Sequence, residues 1–432
     1  MVSPTQSAGA GSLVSGATRR KAVVAASIGN FIEWFEYTLF GFFAAAIATN
    51  FFPPGSASLV GTFAVFGVSF VLRPLGALTF GHLGDRVGRR GVLAVVIVSM
   101  SAATFVIGAL PTYDAVGVLA PVLLLAARVV QGFSAGGEFG GATAFMIEYA
   151  PEGRRGVFGS WQFFSQFLAA LLSSALGTAL STGMSEQDLT AWGWRLPFLL
   201  TLPLGLIGLY LRLRLDETPQ FQEAEAEGAA DRAPLVVTVR EHWRSVLLVI
   251  GMIISGTTGT YMIEAFFPAY LVKKVGIPQH QVFTAMLVGL ALLVVLIPLW
   301  GLFSDRIGRR KPLLIASPLA LVVLAVPIYS LLLQATFATT AAAYVLLVFA
   351  LAPAMGALAT VMSDLFPTEV RYSGLSLAYS TSVSIFGGFT PLVLTSLIKT
   401  TGSQLSPAFY LAGTAVVSLV AAVLVRETGR AG

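Results

Sequence analysis

Runs of about twenty apolar residues recur along the whole chain, each long enough to cross a roughly 30 Å hydrocarbon core as a helix. They fall near 22–48, 58–80, 91–110, 117–142, 157–181, 194–213, 244–271, 281–303, 312–333, 339–361, 373–398 and 406–425. The runs are continuously apolar rather than alternating, and an open sheet edge would leave backbone groups unsatisfied in lipid. The expectation is therefore an all-α membrane protein with twelve transmembrane helices. Only 11% of the residues are charged, against roughly 25% in soluble proteins.

An even number of spans places both termini on one side, and the loops should then alternate in Lys and Arg content. They do. The termini and the loops on their side hold twenty of the twenty-six basic residues, including Arg86, Arg89, Arg90, Arg154, Arg155, Arg212, Arg306, Arg309, Arg310, Lys311 and Arg371. The opposite loops hold Lys273, Lys274 and Lys399, so both termini are predicted to face the cytoplasm. The net charge of +5 follows from this bias, so no nucleic-acid partner is expected. Residues 1–21 read as a cytoplasmic tail, and the first apolar run is too long for a cleaved secretory signal. With no cysteine and three scattered histidines, neither a disulfide nor a metal or cofactor site is expected. No phosphate loop or nucleophile elbow suggests an enzyme.

The segment "GHLGDRVGRR" at 81–90 returns as "GLFSDRIGRR" at 301–310. A second echo relates Glu148, Pro151 and Arg155 to Asp364, Pro367 and Arg371. Two six-helix bundles related by a parallel repeat are predicted, at 22–213 and 244–426. The polar stretch 214–243 reads as a cytoplasmic linker with a short amphipathic helix, and 427–432 as a cytoplasmic C-terminus.

The duplicated loop resembles the major facilitator superfamily over residues 20–428, and "GNFIEWFEY", "RVVQGFSAGGEFGGA" and "LFPTEVRYSGLSLAYS" resemble its metabolite:proton symporter family. That family includes carriers of proline and betaine, 2-oxoglutarate, citrate and shikimate. The resemblance implies the major facilitator fold in a bacterial inner membrane, a monomer whose partners are the lipid bilayer, protons and a small solute. The implied activity is proton-coupled symport of a small carboxylate-bearing or zwitterionic metabolite by alternating access. An uncoupled facilitator and a compatible-solute carrier are the alternatives. Few residues follow Arg426, unlike osmosensing carriers with a long coiled coil, and this favours a plain nutrient carrier.

Asp85, Arg86, Arg89, Glu148 and Arg155, with Asp305, Arg306, Arg309, Asp364 and Arg371, form the expected gate, in which acids meet helix N-termini of the opposite half and arginines meet acids. Arg90, Arg310 and Lys311 read as topology signals. Charges at the centre of a span are retained only when paired, protonated or facing a wet cavity. Glu33 and Glu36 share helix 1 with Asn30 and Tyr37, while helix 4 carries Arg128, Gln131 and Glu138; Asn30, Tyr37, Gln131 and Glu138 are read as substrate-contact candidates beside Arg128. A Glu36–Arg128 encounter is predicted at comparable depth, with substrate at Arg128 and the proton at Glu36. The resemblance places an acid, usually Asp, at the position of Glu36 and implicates it in proton coupling. Glu33 is a second proton-coupling candidate. Trp161, Gln162, Tyr261, Glu264, Tyr379 and Ser380 are further substrate-contact candidates, with Trp34 and Gln166 as cavity residues. Arg73 reads as a snorkelling side chain near the end of helix 2.

Overall fold

The computed structural model describes residues 16–53, 57–214 and 234–427. The predicted tail at 1–15, most of the linker at 215–233 and residues 428–432 lie outside them. Twelve spans can be traced. Helix α1 is a bent pair, Val23–Phe42 and Ala44–Phe51, broken by 65°. The next five are α2 (Ala64–Val87), α3 (Arg89–Ala109), α4 (Leu119–Glu148), α5 (Arg155–Gly183) and α6 (Glu186–Leu213). The last six are α7 (Trp243–Phe266), α8 (His280–Ile307), α9 (Lys311–Leu332), α10 (Phe337–Asp364), α11 (Thr368–Thr401) and α12 (Ser406–Leu424). Twelve crossings leave Gly16 and Glu427, the first and last described residues, on one side, here termed the terminal face. No strand occurs among the described residues.

Within the first six helices α2 packs on α4, α1 on α5, and α3 on α4 and α6; within the last six α8 packs on α10, and α9 on α10 and α12. The two groups meet chiefly through α5 against α8 and α2 against α11. Lipid does not drive helices together, so close approach depends on small residues. A Cβ on Gly76 of α2 would lie 1.7 Å from the carbonyl oxygen of Phe133 on α4.

The duplicated loop has a structural reason at each glycine. Gly81 stands where α2 meets α11, and a Cβ there would lie 2.9 Å from the Ser373 Cα. Gly301 does the same for α8 and α5, 2.8 Å from Ser160. Gly88 and Gly308 end α2 and α8 with φ of 100° and 61°, conformations that a side chain disfavours. Beyond α6, the short helix Pro234–Glu241 lies within the predicted linker and packs on α2 and α11 with Thr238 buried.

Candidate functional site

At the terminal face two carboxylates each cap a helix of the opposite half. Asp85 accepts the backbone N–H groups of Tyr372 at 3.2 Å and Ser373 at 2.7 Å, in the first turn of α11. Asp305 accepts those of Gly156 at 2.7 Å and Val157 at 2.8 Å, in the first turn of α5. An anion at a helix N-terminus satisfies unpaired donors and complements the helix dipole. Around these caps run reciprocal ion pairs, Glu148 with Arg371 at 2.7 Å and Asp364 with Arg155 at 2.8 Å. Arg89 joins Glu148 and donates to the Thr368 carbonyl at 2.9 Å.

Arg310, expected only to set topology, is instead 9% exposed and pairs with Asp364 at 3.3 Å, the counterpart of Arg89 with Glu148. The partner shifts by one residue because α9 starts at Lys311 whereas α3 starts at Arg89. Arg309 is consequently turned outward, 62% exposed and 3.7 Å from Glu427. Arg86 and Arg306 are also exposed. These three leave the expected gate: Arg309 pairs within its own half, and among the described residues Arg86 and Arg306 make no ion pair. Arg90 donates to the Leu213 carbonyl, and Lys311 to that of Val423 at 2.6 Å.

Deeper, Trp34, Phe163, Gln166, Thr257, Thr260, Tyr261 and Tyr379 line a small cavity between the halves, about 10 Å3 in volume. That is room for about one water. On the side away from the termini, the rings of Phe42 and Phe283 meet at 5.3 Å. Arg128 stands one ring behind this cavity, its guanidinium 4.2 Å from the centre of Phe40, 5.1 Å from Phe66 and 5.2 Å from Tyr37. It is fully buried and donates to Ser69 Oγ at 2.7 Å and to Gln131 Oε1. Among the described residues it makes no ion pair.

Contrary to the predicted encounter, Glu36 does not touch Arg128. It accepts from Ser101 at 2.9 Å and from Thr104 at 2.6 Å, and Thr104 accepts in turn from the Gln131 amide at 2.7 Å. Guanidinium, amide, hydroxyl and carboxylate thus form a relay from Arg128 to Glu36. The two ions are parted because α3 inserts its hydroxyls between α1 and α4. Ser101, Thr104 and Ser69 escaped the sequence reading, since a lone hydroxyl in an apolar helix usually bonds its own backbone.

The other candidates separate by burial and partner. Glu33 pairs with Arg73. Arg73 does not snorkel: it is 1% exposed, because α2 continues two turns past the predicted boundary and carries it into the core. Its guanidinium lies 4.7 Å from the centre of Tyr37 and 5.6 Å from Trp34. Glu138 pairs with fully buried Arg212 at 3.2 Å, away from Gln131. Arg212 therefore leaves the set of loop charges. The Gln162 amide donates to Asn30 Oδ1 at 2.7 Å and the Asn30 amide to the Gln162 backbone carbonyl at 2.8 Å, pinning α1 to α5 and occupying the Asn30 amide expected to meet substrate. Trp161 packs on Phe164 and against the cluster of Ala25, Ala26, Phe145, Met146 and Tyr149, outside the cavity. Ser380 is directed at the Gly136 carbonyl, 3.4 Å away. Tyr261 and Tyr379 remain on the cavity wall, and the Tyr37 ring lies 5.4 Å from Phe70, which in turn meets Tyr261 at 5.6 Å. Glu264 sits on the π-turn Met262–Phe266 with Oε1 buried and free of hydrogen bonds.

The model of the Major Facilitator Superfamily matches residues 26–391 and 258–431. The chain is 39% identical over 421 residues to the proline/betaine transporter of Escherichia coli K12, covering 95% of this chain and 84% of that protein. It is 40% identical over 422 residues to the glycine betaine/proline/ectoine/pipecolic acid transporter OusA of Dickeya dadantii, covering 95% and 83%. Among solved structures, the proton:xylose symporter XylE bound to 6-bromo-6-deoxy-D-glucose superposes with a TM-score of 0.80 at 16% identity, over 96% of this chain and 97% of that one. A partially occluded inward-open conformation of XylE from E. coli gives 0.71 at 16% identity, covering 96% and 100%.

Proposed function

The chain belongs to the Major Facilitator Superfamily and is a multi-pass membrane transporter rather than an enzyme, and we propose that it takes up a small zwitterion of the proline and betaine class together with a proton. The observation that carries this reading is the state of Arg128: buried in mid-span, ringed by aromatic faces, and without an ion-pair partner among the described residues. A guanidinium so placed calls for an anion, and the carboxylate of a zwitterionic solute supplies one. The aromatic faces of Trp34, Tyr37, Phe70, Tyr261 and Tyr379 suit the cationic end, with the free oxygen of Glu264 beside them. Arg128 alone fits an organic acid equally well. The relatives, which are carriers of proline and betaine, favour the compatible-solute reading over the plain nutrient carrier.

The relay supplies the linkage. When a substrate carboxylate takes Arg128, Gln131 loses its guanidinium partner and Thr104 is free to re-aim. With the charge of Arg128 matched by the substrate, Glu36 takes a proton and the site carries no unpaired charge. The loaded, compensated site then reorients as the halves rock about it. The caps at Asp85 and Asp305, with their ion pairs, close the terminal face, which we assign to the cytoplasm from the loop charges. The two six-helix halves, 22–213 and 244–426, would be the rocking bodies.

Uptake into proteoliposomes tests the reading. Acidifying the outside should drive uphill accumulation of radiolabelled glycine betaine or proline, and a protonophore should abolish it. The Glu36→Gln variant should exchange labelled for unlabelled substrate yet fail to concentrate it. Uphill, proton-driven accumulation by Glu36→Gln would defeat the assignment.

A further inference from the structure

The pair Glu138–Arg212 has no part in the relay, yet it adjoins the same helix. A Cβ on Gly29 of α1 would lie 2.5 Å from Glu138 Oε1 and 2.9 Å from Arg212 Nη2, so the pair rests directly on the α1 backbone at that level. Gly29 is four residues before Glu33, and Glu33 is three before Glu36. At the helical rise these are steps of about 6 Å and 4.5 Å along one face of α1. Three buried carboxylates therefore descend from the relay toward the terminal face. The oxygens Glu33 Oε2 and Glu138 Oε2 are both buried without a hydrogen-bond partner, each open to a proton.

The far end of this ladder is stopped by a side chain of the other half. Tyr372, in the first turn of α11, donates its hydroxyl to the Gly137 carbonyl at 2.7 Å. Its ring fills the space that Gly84 and Gly141 leave, where a Cβ would lie 2.0 and 2.7 Å from ring atoms. Tyr372 is also one of the two residues whose backbone N–H is held by Asp85. Opening of the terminal gate, which frees α11 from Asp85, would withdraw the Tyr372 ring from beside Glu138.

We propose that Glu138 is the proton-release residue of this transporter, fed from Glu36 through Glu33 and stoppered by Tyr372 until the terminal face opens. This rests on the proton-coupling reading above. The O–H bond at Glu36 breaks as one forms at Glu33, and the proton then passes to Glu138 as the O–H bond at Glu33 breaks in turn. From Glu138 it leaves to water at the opened face, and Glu138 returns to its ion pair with Arg212. The groups that face the ladder are Arg128 of α4 at Glu36, Arg73 of α2 and Tyr379 of α11 at Glu33, and Arg212 of α6 and Tyr372 of α11 at Glu138.

The test uses the full chain in proteoliposomes, with a trapped pH-sensitive dye and glycine betaine as the probe. Glu138→Gln should reduce betaine-driven proton entry and uphill uptake by about tenfold or more, while betaine exchange stays within about twofold of the parent. Glu138→Asp should restore proton entry, because it keeps an ionisable oxygen. Undiminished proton entry in Glu138→Gln overturns the proposal, as does loss of exchange in both variants, which would make the pair purely structural. Glu36→Gln separates the two readings. If it stops proton entry while Glu138→Gln does not, only the release path fails; if it leaves proton entry intact, proton coupling at Glu36 fails first.

Discussion

Asp85 and Ser373 lie 288 positions apart in the chain and are joined by a 2.7 Å hydrogen bond from the Ser373 backbone N–H to the carboxylate. Asp305 and Gly156 make the equivalent bond at 2.7 Å. The duplicated loop thus carries two acids, and each acts on the half that did not encode it.

Replacing Asp85 or Asp305 by Asn removes a charge from a helix N-terminus, which costs about 1 kcal/mol. The closed terminal face should lose roughly fivefold in population for each substitution. Because the chain lacks cysteine, a Ser160→Cys reporter at the α5–α8 contact would be the one thiol. Its labelling by a maleimide should accelerate in Asp305→Asn, and an unchanged rate would remove these caps from the gate.

Arg128→Lys should bind substrate poorly although the charge is kept, since an ammonium cannot reproduce the planar fork that engages Gln131, Ser69 and a carboxylate. Truncating a buried charge partner costs about 2–5 kcal/mol, so thermal stabilisation by glycine betaine should require at least about thirtyfold more ligand. Stabilisation at parental concentrations would show that the carboxylate binds elsewhere.

Substrate charge can be read from voltage. A zwitterion carried with one proton moves one positive charge, for which 100 mV supplies about 2.3 kcal/mol, roughly a fiftyfold gradient. An inside-negative potential at equal pH should therefore drive accumulation. A monoanion with one proton moves no net charge, and accumulation that ignores voltage would restore the organic-acid reading.

Gly76→Ala should prevent α2 and α4 from closing, because the added carbon would sit 1.7 Å from the Phe133 carbonyl oxygen. The penalty should reach or exceed the roughly 1–3 kcal/mol of ordinary overpacking. Gly41→Ala is the control, as a Cβ there meets nothing within 4 Å. Melting temperatures in detergent should fall for the first and hold for the second.

The spans and the two acid caps were legible because apolar length and a motif repeated at its glycines, acid and arginines survive in one dimension. The reciprocal pairs Glu148–Arg371 and Asp364–Arg155 follow from the second echo in the same way. Arg73 and Arg212 were misread because depth in a bundle depends on how far a helix continues and what it packs on. Both residues stand near apparent span ends, yet both are buried against acids of other helices. The hydroxyls of Ser101 and Thr104 could not be told from structural ones without knowing that α3 passes between α1 and α4. Arg310 in place of Arg309 turned on the start of α9, and a one-residue shift leaves no mark in a repeat.

Midway along the contact between the halves, Phe139 of α4 lies flat on Tyr379 of α11, ring centres 3.3 Å apart and planes 2° from parallel. Directly eclipsed rings gain dispersion but set like quadrupoles face to face, so such a pair is readily displaced sideways. Neither ring interlocks with the other as a ridge does with a groove. The halves are thus clasped by charge at their rim, while at this level they meet ring on ring, a contact that a small sideways shift of α11 would relieve rather than break.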